Sequence, residues 1–311
     1  MILVAGATGF LGSEICRRLR ERNASVRGLV RASSAPAKVA ALEASGVEIA
    51  RGDLKDPASL AAACRGVDTV ISTVTTITTA QAGDSFDATD NAGTRSLIDA
   101  ARAADADHFI FVSFDWSLIA EAPLVAAKRE VETYLKESGL TYTILHPGLF
   151  MESWLGPVIG LDTAAGSAQI LGDGDNRLSY VSLADVAELA VQCVTNPAAR
   201  NATIPIGGPE AIRQRDAIGI FEQVTGKPFT LATIPEETLR AEWQSAADPF
   251  TKTFTALRLG AAHDFVVDNG FVETNFRLPL TSVRDYAERL TRGRPGERTR
   301  ERTGRPPEAT A

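Results

Sequence analysis

From residue 1 to about residue 145, short apolar runs rich in β-branched residues alternate with longer Ala-rich stretches whose apolar positions recur every three or four residues. The first kind fits strands buried on both faces and the second fits helices burying one face, so their alternation predicts βαβ units around a parallel sheet. The pattern places six strands, at Ile2 to Ala5, Ser25 to Val30, Val47 to Ala50, Thr69 to Ser72, His108 to Val112 and Thr141 to Leu145, with helices between them. Gly46 and Gly139 stand just behind the last helical positions before two of these strands, where a left-handed C-terminal cap is expected.

After His146-Pro147-Gly148 the rhythm loosens, and Gly172-Asp173-Gly174-Asp175 precedes a new helix near Ala184. A strand follows at Thr203 to Ile206, then helices over about Glu210 to Thr225, Glu236 to Ser245 and Asp248 to Ala262. The expected fold class is α/β, a Rossmann-type doubly wound parallel sheet with a smaller C-terminal substrate lobe. Residues 1–150 are expected to form the nucleotide-binding domain, and 151–291 a mixed α/β lobe with room for the chain to exchange back to the sheet. The tail 292–311 is Arg, Glu, Gly and Pro with almost no apolar residue; it cannot bury enough surface to offset its ordering entropy and is expected to be disordered. No internal repeat is visible.

Composition narrows the function. The net charge of −7 disfavours a nucleic-acid partner, which requires phosphates to be neutralised by Lys and Arg. No run reaches the roughly 18 apolar residues of a membrane span, and residue 1 opens straight into Ile2-Leu3-Val4-Ala5 with no basic leader. Cys16, Cys64 and Cys193 are odd in number and widely spaced, which fits free thiols in a reducing cytoplasm. Three scattered histidines make no metal site. The oligomeric state, monomer or homodimer, stays open.

The segment Gly6-Ala7-Thr8-Gly9-Phe10-Leu11-Gly12 follows a strand and opens a helix, the context in which a Gly-x-x-Gly-x-x-Gly pattern carries weight. Gly6 allows the tight turn, Gly9 lets the backbone approach a pyrophosphate, and Gly12 permits close helix-to-sheet packing, while the helix N-terminus favours an anion. The second strand is followed by Arg31 rather than the acidic residue that bonds a ribose 2′-hydroxyl in NAD sites. A guanidinium can fork to a 2′-phosphate, with Ser33, Ser34 and Lys38 close by, so NADP(H) is the expected cofactor; an ordinary exposed arginine is the plainer alternative. Asp53, in Gly52-Asp53-Leu54, can accept from an adenine amino group or cap the turn before Asp56-Pro57, and the sequence leaves both open.

Together these residues resemble the NmrA-like and isoflavone-reductase-like group of atypical short-chain dehydrogenase/reductases. The likeness extends through Asp90-Asn91-Ala92-Gly93-Thr94, Val112-Ser113, Lys128, Ser138 to Ile144, His146-Pro147-Gly148, Ser182 to Ala187 and Leu278 to Thr281. The resemblance implies that Lys128 sits near the nicotinamide ribose and that His146 to Phe150, with Pro147 and Gly148, border nicotinamide and substrate. Many members of the wider superfamily carry a proton-donating Tyr four residues before the Lys; this chain has Leu124 there. Relatives that lack that Tyr either lean on the Lys or bind the dinucleotide without turning it over.

The leading expectation is an NADPH-dependent reductase of a carbonyl or conjugated double bond in a hydrophobic, aromatic or other apolar, small molecule, with Lys128 and Ser113 as its catalytic groups. Lys128 can hold the ribose and stabilise negative charge on the acceptor, its pKa lowered by desolvation; the plain alternative is an exposed helix lysine paired with Glu132. Ser113 can bond the substrate or merely end its strand. Thr73 is expected at the nicotinamide ribose. Asp115, Trp116, His146, Met151, Trp154 and Tyr180 are candidate substrate residues, although core filling accounts for the apolar ones nearly as well. An NADP(H)-sensing regulator and an isomerase or epimerase that retains its cofactor are the rival expectations.

Overall fold

A computed structural model of the chain describes residues 1–77, 80–156 and 160–292. Six strands appear where the apolar runs stand: β1 (Ile2–Ala5), β2 (Val26–Val30), β3 (Glu48–Arg51), β4 (Thr69–Ser72), β5 (His108–Val112) and β6 (Thr141–Pro147). Between them lie α1 (Phe10–Glu21), α2 (Pro36–Ala44), α3 (Pro57–Ala63), α4 (Thr94–Ala103) and α5 (Pro123–Glu137). The next elements are β7 (Leu149–Phe150), α6 (Met151–Trp154), β8 (Ser167–Leu171), β9 (Arg177–Val181), α7 (Leu183–Cys193), β10 (Ala202–Ile206), β11 (Ala211–Arg213), α8 (Gln214–Thr225) and β12 (Thr230–Ile234). The chain closes with α9 (Glu236–Ser245), α10 (Pro249–Gly260), α11 (Gly270–Asn275) and α12 (Val283–Arg292).

The main sheet has seven parallel strands in the order β10-β6-β5-β4-β1-β2-β3. Alternate side chains of each strand enter two separate cores, as the pleat requires. Ile2, Val4, Ile71, Ile110, Val112 and Leu145 pack with α1, α2 and α7, whereas Leu3, Ala5, Val70, Phe109, Phe111 and Ile144 pack with α3, α4 and α5. Helices therefore cover both faces, and truncating Phe109 or Phe111, both fully buried, costs about 3–5 kcal/mol.

A third cluster fills the second lobe, where α8, α9, α10 and α12 surround the small sheets β11-β9-β7 and β12-β8. The strand expected at Thr203 to Ile206 within that lobe instead forms the edge of the main sheet, with Ile204 opposite Leu145. Ile204 and Ile206 are fully buried there, and α7 packs against α1, so residues 183–206 return to the nucleotide-binding half. Of the expected tail, Arg292 closes α12; residues 293–311 lie outside the described residues. Among the described residues no helix is long and apolar enough to cross a membrane, and no group of three or more His, Cys, Asp or Glu is placed to hold a metal.

Candidate functional site

The strand order reverses between β1 and β4, and a crevice opens beyond their carboxyl ends. Gly6, at φ +83°, turns the chain off β1, and a Cβ there would stand 2.6 Å from Thr73 Oγ1. Thr73 is held by its own N–H and Oγ1, each donating 3.1 Å to the Ala5 carbonyl. A Cβ on Gly12 would come 2.2 Å from the Gly6 carbonyl oxygen, so α1 can lie this close to the turn only with glycine there. Gly9 N–H donates to Gly6 O at 2.9 Å and caps α1 without a side-chain bond; the first turn holds no acidic residue. The positive end of the helix is thus aimed at the crevice, and Glu14, one turn further in, is paired with Arg17 and Arg18.

A cavity of about 1150 Å³ extends from this turn along the carboxyl edge of the sheet. Gly6, Thr8, Gly9, Phe10, Leu11, Arg31, Asp53, Leu54, Thr73, Lys128, Pro147, Gly148 and Phe150, all expected at the cofactor, line it; Gly12 lies behind it in the helix contact. At one end Arg31 Nη1 donates 2.8 Å to Asp84 Oδ2. The Asp84 carboxylate, 1% exposed, also accepts from Lys55 Nζ at 2.5 Å, Thr89 Oγ1 at 3.2 Å and Gln81 N–H at 3.0 Å. Burial pushes the Asp84 carboxyl up, but the bonds from Lys55, the Gln81 backbone and Arg31 outweigh it and hold it below the usual carboxylate range. Asp53 Oδ1 accepts from Lys55 N–H at 2.9 Å, so the turn-stabilising role is made while the residue still lines the cavity. The cap of α3 is Asp56, which accepts from Ala58 N–H.

Lys128 is 5% exposed, not an exposed helix lysine, and its ion pair with Glu132 is not formed. Its Nζ lies 3.3 Å from the Val112 carbonyl oxygen and 3.5 Å from that of Val74, over the Phe111 ring at 5.0 Å. Burial lowers the Lys128 pKa, opposed by the charges of Asp90 and Glu132. Asp90 arrives through a π-helix, Phe86–Gly93, and accepts from Thr76 N–H and Oγ1 at 3.1 and 2.6 Å. Beside Lys128, Ser113 Oγ donates 2.5 Å to Glu132 Oε1, and His146 Nε2 meets the same oxygen at 2.7 Å.

Of the six residues expected at the substrate, Trp154 lines the cavity and five do not. His146 turns to Glu132, and Asp115 pairs with Arg129. Trp116 stacks on Phe265 at 4.4 Å beneath Gly260, and Met151 and Tyr180 are buried in the second-lobe core, where burial pushes the Tyr180 hydroxyl up. Core packing claimed these large side chains, as their apolar surface favours. The walls come instead from Phe114, Leu124, Phe254, Leu257 and Arg258, whose guanidinium pairs with Glu242 at 2.7 Å. Helix α10 carries three of these five, and nothing in its sequence separates it from an ordinary amphipathic helix. Asp84 was equally silent, a polar loop residue whose role depends on two partners distant in sequence.

The chain is 32% identical over 239 residues to the NAD(P)H azoreductase of Xenophilus azovorans, covering 76% of this chain and 78% of that one. It is 31% identical over 239 residues to the photosystem II assembly factor Ycf39 of Cyanophora paradoxa, covering 75% and 71%. The NADPH-dependent quinone oxidoreductase QOR2 of Escherichia coli, solved with NADPH, superposes with a TM-score of 0.73 over 94% of this chain and all of that one, at 21% identity, and so shares the fold. The sequence pattern of the NmrA-like family matches residues 1–260, and the chain belongs to that family.

Proposed function

We propose that this chain is an NADPH-dependent reductase of a carbonyl or conjugated double bond in a hydrophobic small molecule. The observation that carries the reading is one continuous cavity that joins the glycine turn to an apolar wall, with buried Lys128 and Ser113 also lining it. At about 1150 Å³ it exceeds the usual ligand pocket of roughly 300–1,000 Å³, which suits a dinucleotide with a second molecule beside it. The tight turn at Gly6 and the close packing at Gly12 bring the N-terminus of α1 to the cavity, where it fits a pyrophosphate, and Arg31 fits a 2′-phosphate.

Bound NADPH supplies the hydride. The chain's own groups do the rest. The α1 N-terminus holds the pyrophosphate, and Arg31 with the cavity-lining Lys38 holds the 2′-phosphate. Lys128 binds the ribose hydroxyls, and its cationic head stabilises negative charge growing on the acceptor. Ser113 Oγ hydrogen-bonds the acceptor atom, while Phe114, Leu124, Trp154, Phe254 and Leu257 keep water from it. Leu124, in place of the tyrosine acid, supports a second reading, a protein that binds the dinucleotide without turning it over, in keeping with a relative described as an assembly factor.

The two readings separate by nicotinamide absorbance. The wild type with NADPH is offered an azo dye, a quinone, an aldehyde and an enone, beside Lys128→Ala. Acceptor-dependent loss of absorbance that falls about 100-fold or more in Lys128→Ala supports the reductase. Tight NADPH binding with no loss on any acceptor, or a Lys128→Ala variant with full turnover, overturns it.

A further inference from the structure

With Leu124 in the tyrosine position, the reaction needs a proton from elsewhere, and one buried carboxylate has no part in the chemistry so far. We propose that Glu132 and His146 form a proton relay behind Ser113, carrying protons from the protein's exterior to the acceptor in the cavity. The inference rests on the reductase reading and adds to it how the proton is resupplied.

Glu132 projects from α5 into the gap between the carboxyl ends of β5 and β6. Its Oε1 is shared by Ser113 Oγ at 2.5 Å and His146 Nε2 at 2.7 Å, so a hydroxyl and an imidazole are joined through one carboxylate oxygen. Ser113 lines the cavity. The His146 side chain retains 18% of its exposure, so the chain of hydrogen bonds starts at the cavity and ends at a group that reaches water, with the Lys136 charge 3.8 Å from Glu132 Oε2 beside it. The charged and titratable groups around Glu132 are His146 from β6, Lys136 and Lys128 from α5, with the Ser113 hydroxyl from β5. Burial pushes the Glu132 carboxyl up, but His146 foremost, with Ser113 and Lys136, holds it below the usual range. A carboxylate buried this deeply is costly, and the hydrogen bonds it shares with Ser113 and His146 offset part of that cost.

The step balances. The hydride's electron pair forms the new bond to one acceptor atom, and the partner atom takes the Ser113 Oγ proton as its π bond opens, the hydroxyl having turned from Glu132 to the acceptor. A proton handed from His146 Nε2 across Glu132 Oε1 restores the hydroxyl, and His146 regains one from water, leaving hydroxide; NADPH is oxidised and the acceptor reduced. Glu132 and His146 touch neither partner and act through Ser113.

The test uses the full chain with NADPH and methyl red, an azo acceptor that must be protonated as it is reduced. In Glu132→Gln and His146→Ala, kcat is expected to fall at least about tenfold while the NADPH dissociation constant stays within about twofold. Added imidazole is expected to restore His146→Ala turnover in proportion to its protonated fraction, which a merely structural histidine does not allow. Full kcat in both variants, or no rescue by imidazole, overturns the relay while leaving the reductase standing. Should Glu132→Gln unfold, the imidazole experiment decides alone. NADPH binding by the wild type without turnover on methyl red, a quinone, an aldehyde or an enone overturns both.

Discussion

Replacing Asp84 by Asn is expected to tighten NADPH and leave NADH nearly unchanged. Around the proposed 2′-phosphate site the charges of Arg31 and Lys55 are cancelled by Asp53 and Asp84, and Asp84 sits on Arg31 Nη1 at 2.8 Å. A phosphate oxygen bonded to the same guanidinium lies about 6 Å from that carboxylate, so with an effective dielectric of about 20 to 80 the repulsion is roughly 0.7–2.8 kcal/mol per unit charge. Salt and the partial exposure of Arg31 favour the lower half of that range. Removing the charge while keeping the side-chain shape should therefore strengthen NADPH by about five- to tenfold. The assay is titration calorimetry of NADPH and NADH against wild type and Asp84→Asn, run at two salt concentrations, with the NADPH gain shrinking at the higher. Equal tightening of both dinucleotides would mean that the charge is not felt at the 2′ position. Weaker NADPH binding would mean that Asp84 is needed to aim Arg31, and either result refutes the reasoning.

Gly12→Ala places a methyl 2.2 Å from a backbone oxygen that cannot move without opening the turn, and should cost about 1–3 kcal/mol or more, read as a lower melting temperature together with lost NADPH binding. Trp154→Ala is expected to raise KM for a hydrophobic acceptor about tenfold while the NADPH dissociation constant holds, measured by steady-state kinetics and calorimetry. Burial, with the Arg200 charge, lowers His108 to about 4; its Nε2 faces Thr143 Oγ1, which itself donates to Ala199 O, and its Nδ1 has no partner among the described residues. Between pH 6.5 and 4 the unfolded chain therefore binds a proton that the folded chain refuses, and stability falls as pH drops through that window, by up to about 3 kcal/mol. Urea melts of His108→Phe across that window should show a shallower acid loss than wild type, and parallel curves would show that His108 titrates normally.

Strands β1, β4 and β5 were legible because each is buried along its whole length, which favours apolar runs, whereas edge strand β3 leaves Glu48 and Arg51 exposed and was legible only from its place in the alternation; the glycine turn was legible because close backbone approach admits few other residues. The edge strand β10 is as apolar but is separated from β6 by residues 148–201, and only its pairing with β6 says which sheet it joins. Residues named for bulk and polarity fared differently. Trp116, Met151 and Tyr180 look alike as core or pocket in a sequence, and the core took them. The helical i to i+4 spacing of Lys128 and Glu132 suggests a pair, yet the strands beneath supply better partners to each, backbone carbonyls for the lysine and Ser113 with His146 for the glutamate. Spacing records what an isolated helix allows, and tertiary neighbours decide what is made.

Residues 183–206 return to the main sheet before the chain goes out again to β11 and α8, and α11 packs back on β10 before α12 joins α8. The acceptor-facing part is thus threaded through the nucleotide-facing part rather than appended to it. A cut near residue 150 would strip β6 of its outer neighbour and α1 of its companion helix, exposing Leu145 and Ile15 to water. Such a protein cannot trade its acceptor preference by swapping a cassette. Diversification has to proceed by point changes along α10 and the segment after β6, under a fixed dinucleotide cradle.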